Sequence, residues 1–413
     1  MHILIVTDQH PDTIGGAQVS IRVQQTFLER AGHRVTIVAP RLLNPGEAKT
    51  TTPGVIELPA MPITSDKSYG ASWPGQASVR RVLRRLEALP PVTLVHVQGD
   101  FWGALIGYQL ARRLNVPAVN TMHNNLDAGT RAVTPFAPAV FWALRAVRRC
   151  VLGRPRWPGR QTVAARRRPK PRGGWAYLAQ LAADSNAVVA PSRHFAGDLE
   201  RAGVPGPFAV IATGVHDDLV DEIKAESFSR GPGVRMLWCG RMSPEKRLFE
   251  MLEAFRLFIA AGGSAHLVVV GAGLQYEQAV RFVREHSLGD LVTFTGALSH
   301  EQTLAEIFRA DVLVQTSRGF ETQGMTPYEA ALLGTPTLYC DANIASAVDV
   351  APAWIEPSGS AQELAAVLAT AATEIASGAP GEMRVPELLT EGMRQSSRTE
   401  EMLEVYRALC ENA

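Results

Sequence analysis

The chain has 413 residues, 46% hydrophobic and 20% charged, with 41 basic against 40 acidic side chains. That length exceeds one ordinary core and suits two domains of roughly 200 residues each, the composition is that of a folded rather than a disordered chain, and a net charge of +1 gives no global pull toward polyanions. Four cysteines, Cys150, Cys239, Cys340 and Cys410, stand far apart without paired spacing, which argues against a metal site or a disulfide framework and for a reducing compartment.

His2 to Thr7 is a short apolar run of the kind buried in a parallel sheet, with no charged-then-apolar leader before it, so a cytoplasmic protein is expected. Ala17 to Ala31 carries apolar residues at helical spacing and stops at Gly32. Between them, Gly15 and Gly16 form a glycine turn that either lets the backbone approach a phosphate at the helix N-terminus or serves only tight turning. A second strand is expected over Arg34 to Ala39 and a basic helix over Gln76 to Ala88. Leu94 to Val97 reads as strand, Phe101 to Leu114 as helix and Pro117 to Thr121 as strand. This alternation predicts an α/β protein with a doubly wound parallel sheet and a ligand site at the C-terminal ends of its strands. His123 stands directly after one such strand, where functional side chains gather, although a lone histidine is more often structural.

From Ala128 to Ala183 there are twelve basic residues and no acidic one. Phe136 to Arg149 reads as a helix with an aromatic, aliphatic side that includes Phe136, Phe141 and Trp142, and a basic end formed by Arg145, Arg148 and Arg149. That is the pattern of an interfacial helix, where each basic residue near an anionic lipid surface adds about 1 kcal/mol to apolar burial. Two other readings stay open: a partly buried helix followed by a proline-broken basic loop, and binding to a nucleic-acid backbone, for which no recognised motif is present. The apolar run from Ala132 to Leu144 is too short and proline-broken to span a bilayer. No function is assigned to the Arg/Pro-rich stretch 154–174.

Asp217 to Gly233 is polar and ends in Gly and Pro, which predicts an interdomain linker, with a first domain over 1–216. Val234 to Cys239 opens a second sheet in a domain over 217–394. Arg241 and Lys246 follow in a strand-to-helix loop, where two cations can neutralise a diphosphate or simply form exposed salt bridges. His266 to Val270 with Gly271 and Gly273 is another strand and glycine turn, and Leu291 to Gly296 a further strand. Asp311 to Ser317 then delivers Gly319 to Pro336, with Pro327 in the first turn of a helix and Gly334 as its stop. Backbone N–H groups from Gly324 through Met325 to Thr326 form an anion site, with Glu321 before it and Glu329 just over a turn inside. Two carboxylates beside an anion site suggest a ligand with both phosphates and hydroxyls, such as a nucleotide sugar; a solvated helix with two surface glutamates is the alternative. Gln362 to Thr373 and Thr399 to Leu409 read as helices.

Glu321 and Glu329, followed by Ala330-Ala-Leu-Leu-Gly-Thr-Pro336, resemble the signature of the retaining glycosyltransferases of family 4, which have the GT-B fold. The Glu-Thr-Gln-Gly form starting at Glu321 is similar to members that glycosylate membrane lipids. The resemblance implies two Rossmann-like domains facing a cleft, with the last segment, 395–413, a helix crossing back to the first. It implies a nucleotide-diphosphate sugar of the UDP-glucose or GDP-mannose type as co-substrate, with no cofactor and no metal, in keeping with the lack of an Asp-any-Asp pair at a strand end. Gly15 and Gly16 would then touch the diphosphate from the first domain. Arg241, Lys246 and the helix end at Gly324, Met325 and Thr326 would stabilise it as it leaves. Glu329 would hold the ribose, while Glu321 and His123 orient the sugar. Many members have Gly where this chain has Arg247. The acceptor is expected to be a membrane lipid, reached by peripheral docking at the inner face of the membrane through Phe136 to Arg149. A soluble sugar, sugar phosphate or polyol acceptor is the alternative, and a non-catalytic protein binding nucleotide sugar or nucleic acid is the second.

Overall fold

The computed structural model describes residues 1–13, 15–43, 51–63, 69–155, 169–227, 233–319, 321–348, 353–378 and 387–411. The chain forms two compact units, Met1–Thr213 together with Gln395–Ala413, and Gly214–Arg394.

The first unit runs β1 (His2–Thr7), α1 (Gly16–Arg30), β2 (Arg34–Pro40), β3 (Val55–Leu58), the antiparallel ribbon β4 (Met61–Pro62) and β5 (Gly70–Ala71), and α2 (Gln76–Leu86). It continues through β6 (Leu94–Gln98), α3 (Trp102–Leu114), β7 (Ala118–Thr121), α4 (Leu126–Val133), α5 (Ala137–Leu152), α6 (Gly173–Ala182), β8 (Ala187–Ala190), α7 (Arg193–Arg201) and β9 (Phe208–Val210). Seven parallel strands lie in the order β3-β2-β1-β6-β7-β8-β9. All six residues of β1 are buried, because helices cover both faces of the sheet. Leu4 and Val6 enter the core with α2, α3, α5 and α6, while Ile3 and Ile5 enter the opposite core with α1 and the C-terminal helix Gln395–Glu411. Each such side chain contributes about 1.5–3 kcal/mol on burial. The C-terminal helix supplies Met402, Leu403 and Tyr406 to that second core. Its Tyr406 hydroxyl lies 2.5 Å from His96 Nδ1, and Thr121 Oγ1 lies 2.7 Å from His96 Nε2.

The second unit has α8 (Asp217–Ala225), β10 (Val234–Cys239), α9 (Leu248–Ala260), β11 (Ala265–Val270), α10 (Tyr276–Glu285), β12 (Val292–Gly296), α11 (His300–Arg309), β13 (Val312–Gln315), α12 (Met325–Leu333), β14 (Thr337–Tyr339), β15 (Trp354–Ile355) and a helix over Ala361–Ala376. Its six strands are parallel, ordered β12-β11-β10-β13-β14-β15. The stretch expected to be linker begins instead with α8, which buries Val220 and Ile223 one turn apart. Its charged residues hid that short apolar stripe. In each sheet the strand order reverses beside the first strand of the unit, so the loops after β1 and β6, and after β10 and β13, part to leave a crevice at the strands' C-terminal ends.

Candidate active site

In the second unit, β10 leads into Gly240 and Arg241 and then a short 3-10 turn, Pro244–Lys246. This loop packs closely on the one after β11. A Cβ on Gly271 would run into the Gly240 carbonyl oxygen, and one on Gly273 would come within 2.5 Å of that of Met242. The backbone of Lys246 is pinned from β13: its carbonyl accepts from Thr316 Oγ1 at 2.6 Å, and Trp238 Nε1 donates to the same hydroxyl at 2.9 Å. Arg247 has φ 57, the left-handed region where glycine is at ease, in keeping with the glycine that the family resemblance implies there. Here the arginine is held by its guanidinium, with Nη2 donating to the Gly359 carbonyl at 2.6 Å and Nε to Glu250 at 3.3 Å.

The Lys246 ammonium forms an ion pair with Glu321, the residue that enters from the loop after β13. Arg241 is half exposed, with Nη2 3.0 Å from Glu245 Oε1, which also accepts from Ser243 Oγ at 2.6 Å. Gly324 takes φ 79 ahead of α12, and no side chain caps that helix and no acidic residue sits in its first turn. The N–H groups at Met325 and Thr326 therefore keep the positive end of the helix dipole open to an anion. Glu329, one turn further, is 5% exposed and accepts from His300 Nε2 at 2.8 Å. Burial, then the charge of Glu329, push the Cys239 thiol up to about 12 against the opposing pull of Lys246. Both charges therefore act on the end of β10. Lys246, Glu321 and Glu329 thus gather at the β10/β13 crevice, with Arg241 on the same loop as Lys246.

In the first unit, Gly15 precedes α1 and Gly16 begins it, again without a side-chain cap. His123 follows β7 and is braced twice. Its Nε2 donates to Gln98 Oε1 at 2.5 Å, and its backbone N–H donates to Asp100 Oδ2 at 3.2 Å. The same carboxylate oxygen accepts from the Asn124 backbone at 3.1 Å and from Asn124 Nδ2 at 2.8 Å. Beneath it, Asp8 caps α3, accepting from Gly103 and Asp100 N–H at 2.7 Å and from Phe101 at 3.0 Å. Burial lifts Asp8 to about 6 and Asp100 to about 7, the latter helped by repulsion from Asp8. Burial lowers His123 to about 4, so at neutral pH it acts through hydrogen bonds and not through charge. His123 lines a small pocket of mixed character with polar Gln24, Gln98 and Thr121, apolar Ile211, and Arg398 and Met402 from the C-terminal helix.

The helix expected over Phe136 to Arg149 forms as α5, Ala137–Leu152, but its faces differ from those of the expected interfacial pattern. Phe141 is 3% exposed and Arg148 is 0% exposed. Arg148 Nε donates to Asp184 at 3.0 Å and Nη1 to the Gly153 carbonyl at 2.8 Å, while Arg112 holds the other oxygen of Asp184 at 2.9 Å. These two residues belong to the core and not to a docking surface. Asp184, just beyond the stretch without acidic residues, supplies the buried counter-charge. Phe136 and Trp142 are each 72% exposed, and Arg145 and Arg149 are exposed with them. Arg156, Trp157, Arg160 and Arg166 to Arg168 of the basic segment lie outside the described residues.

Asp8, Asp100, Thr316 and His300 were given no site role by the sequence. Single polar residues near strand ends carry no periodic signal. Only His300 had one, since Ser299 and Gln302 around it form a capping box that marks the start of a helix.

Residues 14–219 match the family model of Glycosyltransferase Family 4, and residues 220–374 that of Glycosyl transferases group 1. An alpha-monoglucosyldiacylglycerol synthase of Streptococcus pneumoniae is 23% identical over 348 residues, 82% of this chain and 70% of that protein. A glycogen synthase of Mycobacterium tuberculosis is 26% identical over 357 residues, 81% of this chain and 77% of that one. Among solved structures, Anabaena HepE in complex with UDP-glucose superposes with a TM-score of 0.65 at 16% identity, over 99% of this chain and 100% of that one. The two consecutive family matches cover every strand of both sheets except β1 and every residue gathered at the β10/β13 crevice, so the chain belongs to the family-4 glycosyltransferases of GT-B fold.

Proposed function

We propose that the protein is a retaining hexosyltransferase that moves a sugar from a nucleotide-diphosphate donor, of the UDP-glucose or GDP-mannose type, to a hydroxyl of a membrane lipid. The observation that carries the donor half is the gathering of Lys246, Glu321 and Glu329 beside the uncapped N-terminus of α12. Lys246, Arg241 and the N–H groups from Gly324 to Thr326 stabilise the charge that develops on the diphosphate, the term that is usually largest in such catalysis. Glu329 takes the ribose hydroxyls, and Glu321 takes those of the sugar. Gly15, Gly16 and neutral His123 of the first unit are the further residues that the family-4 resemblance assigns to the donor. No side chain of this set is a nucleophile. The bond from the anomeric carbon to the diphosphate breaks with its electron pair on the phosphate oxygen, and the acceptor oxygen bonds to the same face of that carbon. The acceptor proton passes to the departing phosphate oxygen. No cofactor or metal enters this scheme.

The lipid half rests on α5. Phe136 and Trp142 project apolar surface into solvent beside Arg145 and Arg149, and the nearby tip of α4 adds Val133 at 87% exposure. Among the described residues no helix is long and apolar enough to cross a membrane. In this reading docking is peripheral, at the inner face, through the apolar and basic groups of α5. The similarity to a diacylglycerol-glycosylating enzyme supports this acceptor class. A soluble acceptor is the second reading, favoured by the similarity to a glycogen synthase. Calorimetry against a panel of nucleotide sugars, followed by transfer assays with lipid extract and with soluble sugars, distinguishes them. In co-sedimentation with anionic vesicles, Trp142→Glu and the pair Arg145→Glu with Arg149→Glu should each abolish binding. Wild-type protein left in the supernatant would defeat the lipid reading and leave the donor chemistry standing.

A further inference from the structure

We infer that His300 is a positioning residue for donor binding: its imidazole orients the Glu329 carboxylate toward the vicinal hydroxyls of the donor ribose. The inference rests on the proposed ribose role of Glu329 and adds the residue that makes that role possible.

His300 is the first residue of α11, after the short loop that leaves the edge strand β12 at Gly296, and Glu329 lies one turn into α12. The N-terminus of α11 does not need the imidazole. Ser299 and Gln302 form a reciprocal capping box, with Gln302 N–H donating to Ser299 Oγ at 3.1 Å and Ser299 N–H to Gln302 Oε1 at 3.0 Å. The imidazole instead reaches across to α12, where Nε2 donates to Glu329 Oε1 at 2.8 Å. Both side chains are largely buried, His300 at 16% exposure and Glu329 at 7%.

A buried carboxylate has about four acceptor positions, and leaving most of them unfilled is costly. Among the described residues, His300 is the only hydrogen-bond partner of Glu329. One oxygen is therefore fixed by the protein, while the remaining acceptor positions suit a pair of neighbouring hydroxyls. A carboxylate free to rotate about its last torsion would lose orientational entropy on taking a diol, and the single bond from His300 removes that freedom in advance. Such preorganisation acts on the nucleoside, which is bound alike in ground and transition states. Its loss should appear in donor KM and not in kcat.

The test is calorimetry of the full chain with UDP, GDP and their 2′-deoxy forms, on wild type, His300→Phe, His300→Gln and His300→Asn. Gln can place an N–H near the position of Nε2, whereas Phe cannot donate and Asn is too short. Wild type should bind one ribonucleotide and lose affinity on removal of its 2′-hydroxyl. His300→Phe should bind that ribonucleotide about tenfold more weakly, with a smaller 2′-deoxy penalty, and His300→Gln should restore most of both. In transfer assays the donor KM should rise with kcat within about twofold. If Phe destabilises the fold, as its melting temperature would show, the contrast between Gln and Asn carries the test. A 2′-deoxy penalty unchanged across the variants, or a loss of affinity that Gln does not rescue, overturns the inference while the functional reading survives. Absence of nucleotide binding by wild type overturns the functional reading, and this inference falls with it.

Discussion

Lys246 and Glu321 neutralise each other across the β10/β13 crevice. A diphosphate that engages Lys246 must therefore compete with an intramolecular carboxylate. Glu321→Gln removes the competitor together with the proposed sugar contact, so the two consequences run in opposite directions. Transfer should fall by about 100-fold or more, while free UDP or GDP binds several-fold more tightly by calorimetry. Unaltered turnover would contradict the role given to Glu321. A second residue-scale expectation concerns Asp100, whose carboxyl is held up at about 7 by burial and then by the neighbouring Asp8. A carboxyl raised in the folded state binds its proton more tightly there than in the unfolded chain. Its contribution is fully present below about pH 4 and is lost as pH rises toward about 7. His96 and His123, lowered to about 3 and about 4 by burial, pull stability the opposite way on acidification. The difference between wild type and Asp100→Asn is thus the quantity to measure. Melting temperatures across pH 4–8 should show wild type losing ground to Asp100→Asn as pH rises. Neither the paired charges nor the buried carboxyls announced themselves in the sequence, because an aspartate reads the same whether it caps a helix or faces water.

Helix α5 shows what periodicity can and cannot decide. Its helical character and its basic end were legible, since both follow from residues within a few positions of one another. Which side is buried was not: Arg148 is matched by Asp184, 36 residues away in sequence. Removing one partner of a buried pair leaves the other uncompensated, so Arg148→Ala should cost about 3 kcal/mol, seen as a lowered melting temperature. Trp142→Glu and the Arg145, Arg149 charge reversals alter exposed positions, and their effect on stability should stay within about 0.5 kcal/mol. Melting curves of these variants separate the structural arginine from the surface ones. The spacing of Glu321 and Glu329 was legible for the same local reason. A strand end, a glycine turn and one helical turn lie between neighbouring residues and place both carboxylates beside the helix end.

At the scale of the whole chain, the first unit is closed by the last helix, although the whole of the second unit intervenes in sequence. Met402, Leu403 and Tyr406 fill the core behind Ile3 and Ile5, and Tyr406 satisfies His96 across a separation of 310 residues. Three such side chains contribute about 6 kcal/mol, comparable with the entire stability of a typical domain. A chain ending at Arg394 should therefore fail to give a cooperative melt for its first unit, whereas Tyr406→Phe should lower the melting temperature only modestly, by the loss of one buried hydrogen bond. The sequence by itself determined the alternating parallel architecture, the family and the carboxylates on either side of the N-terminus of α12, since each is written in the spacing of near neighbours. Only the tertiary structure decided that His300 braces Glu329, that Asp100 holds the His123 loop, and that Arg148 is buried while Arg145 is not. Those pairings join residues from separate elements, and a hydrogen bond or buried charge is fixed by three-dimensional neighbours that no local pattern specifies.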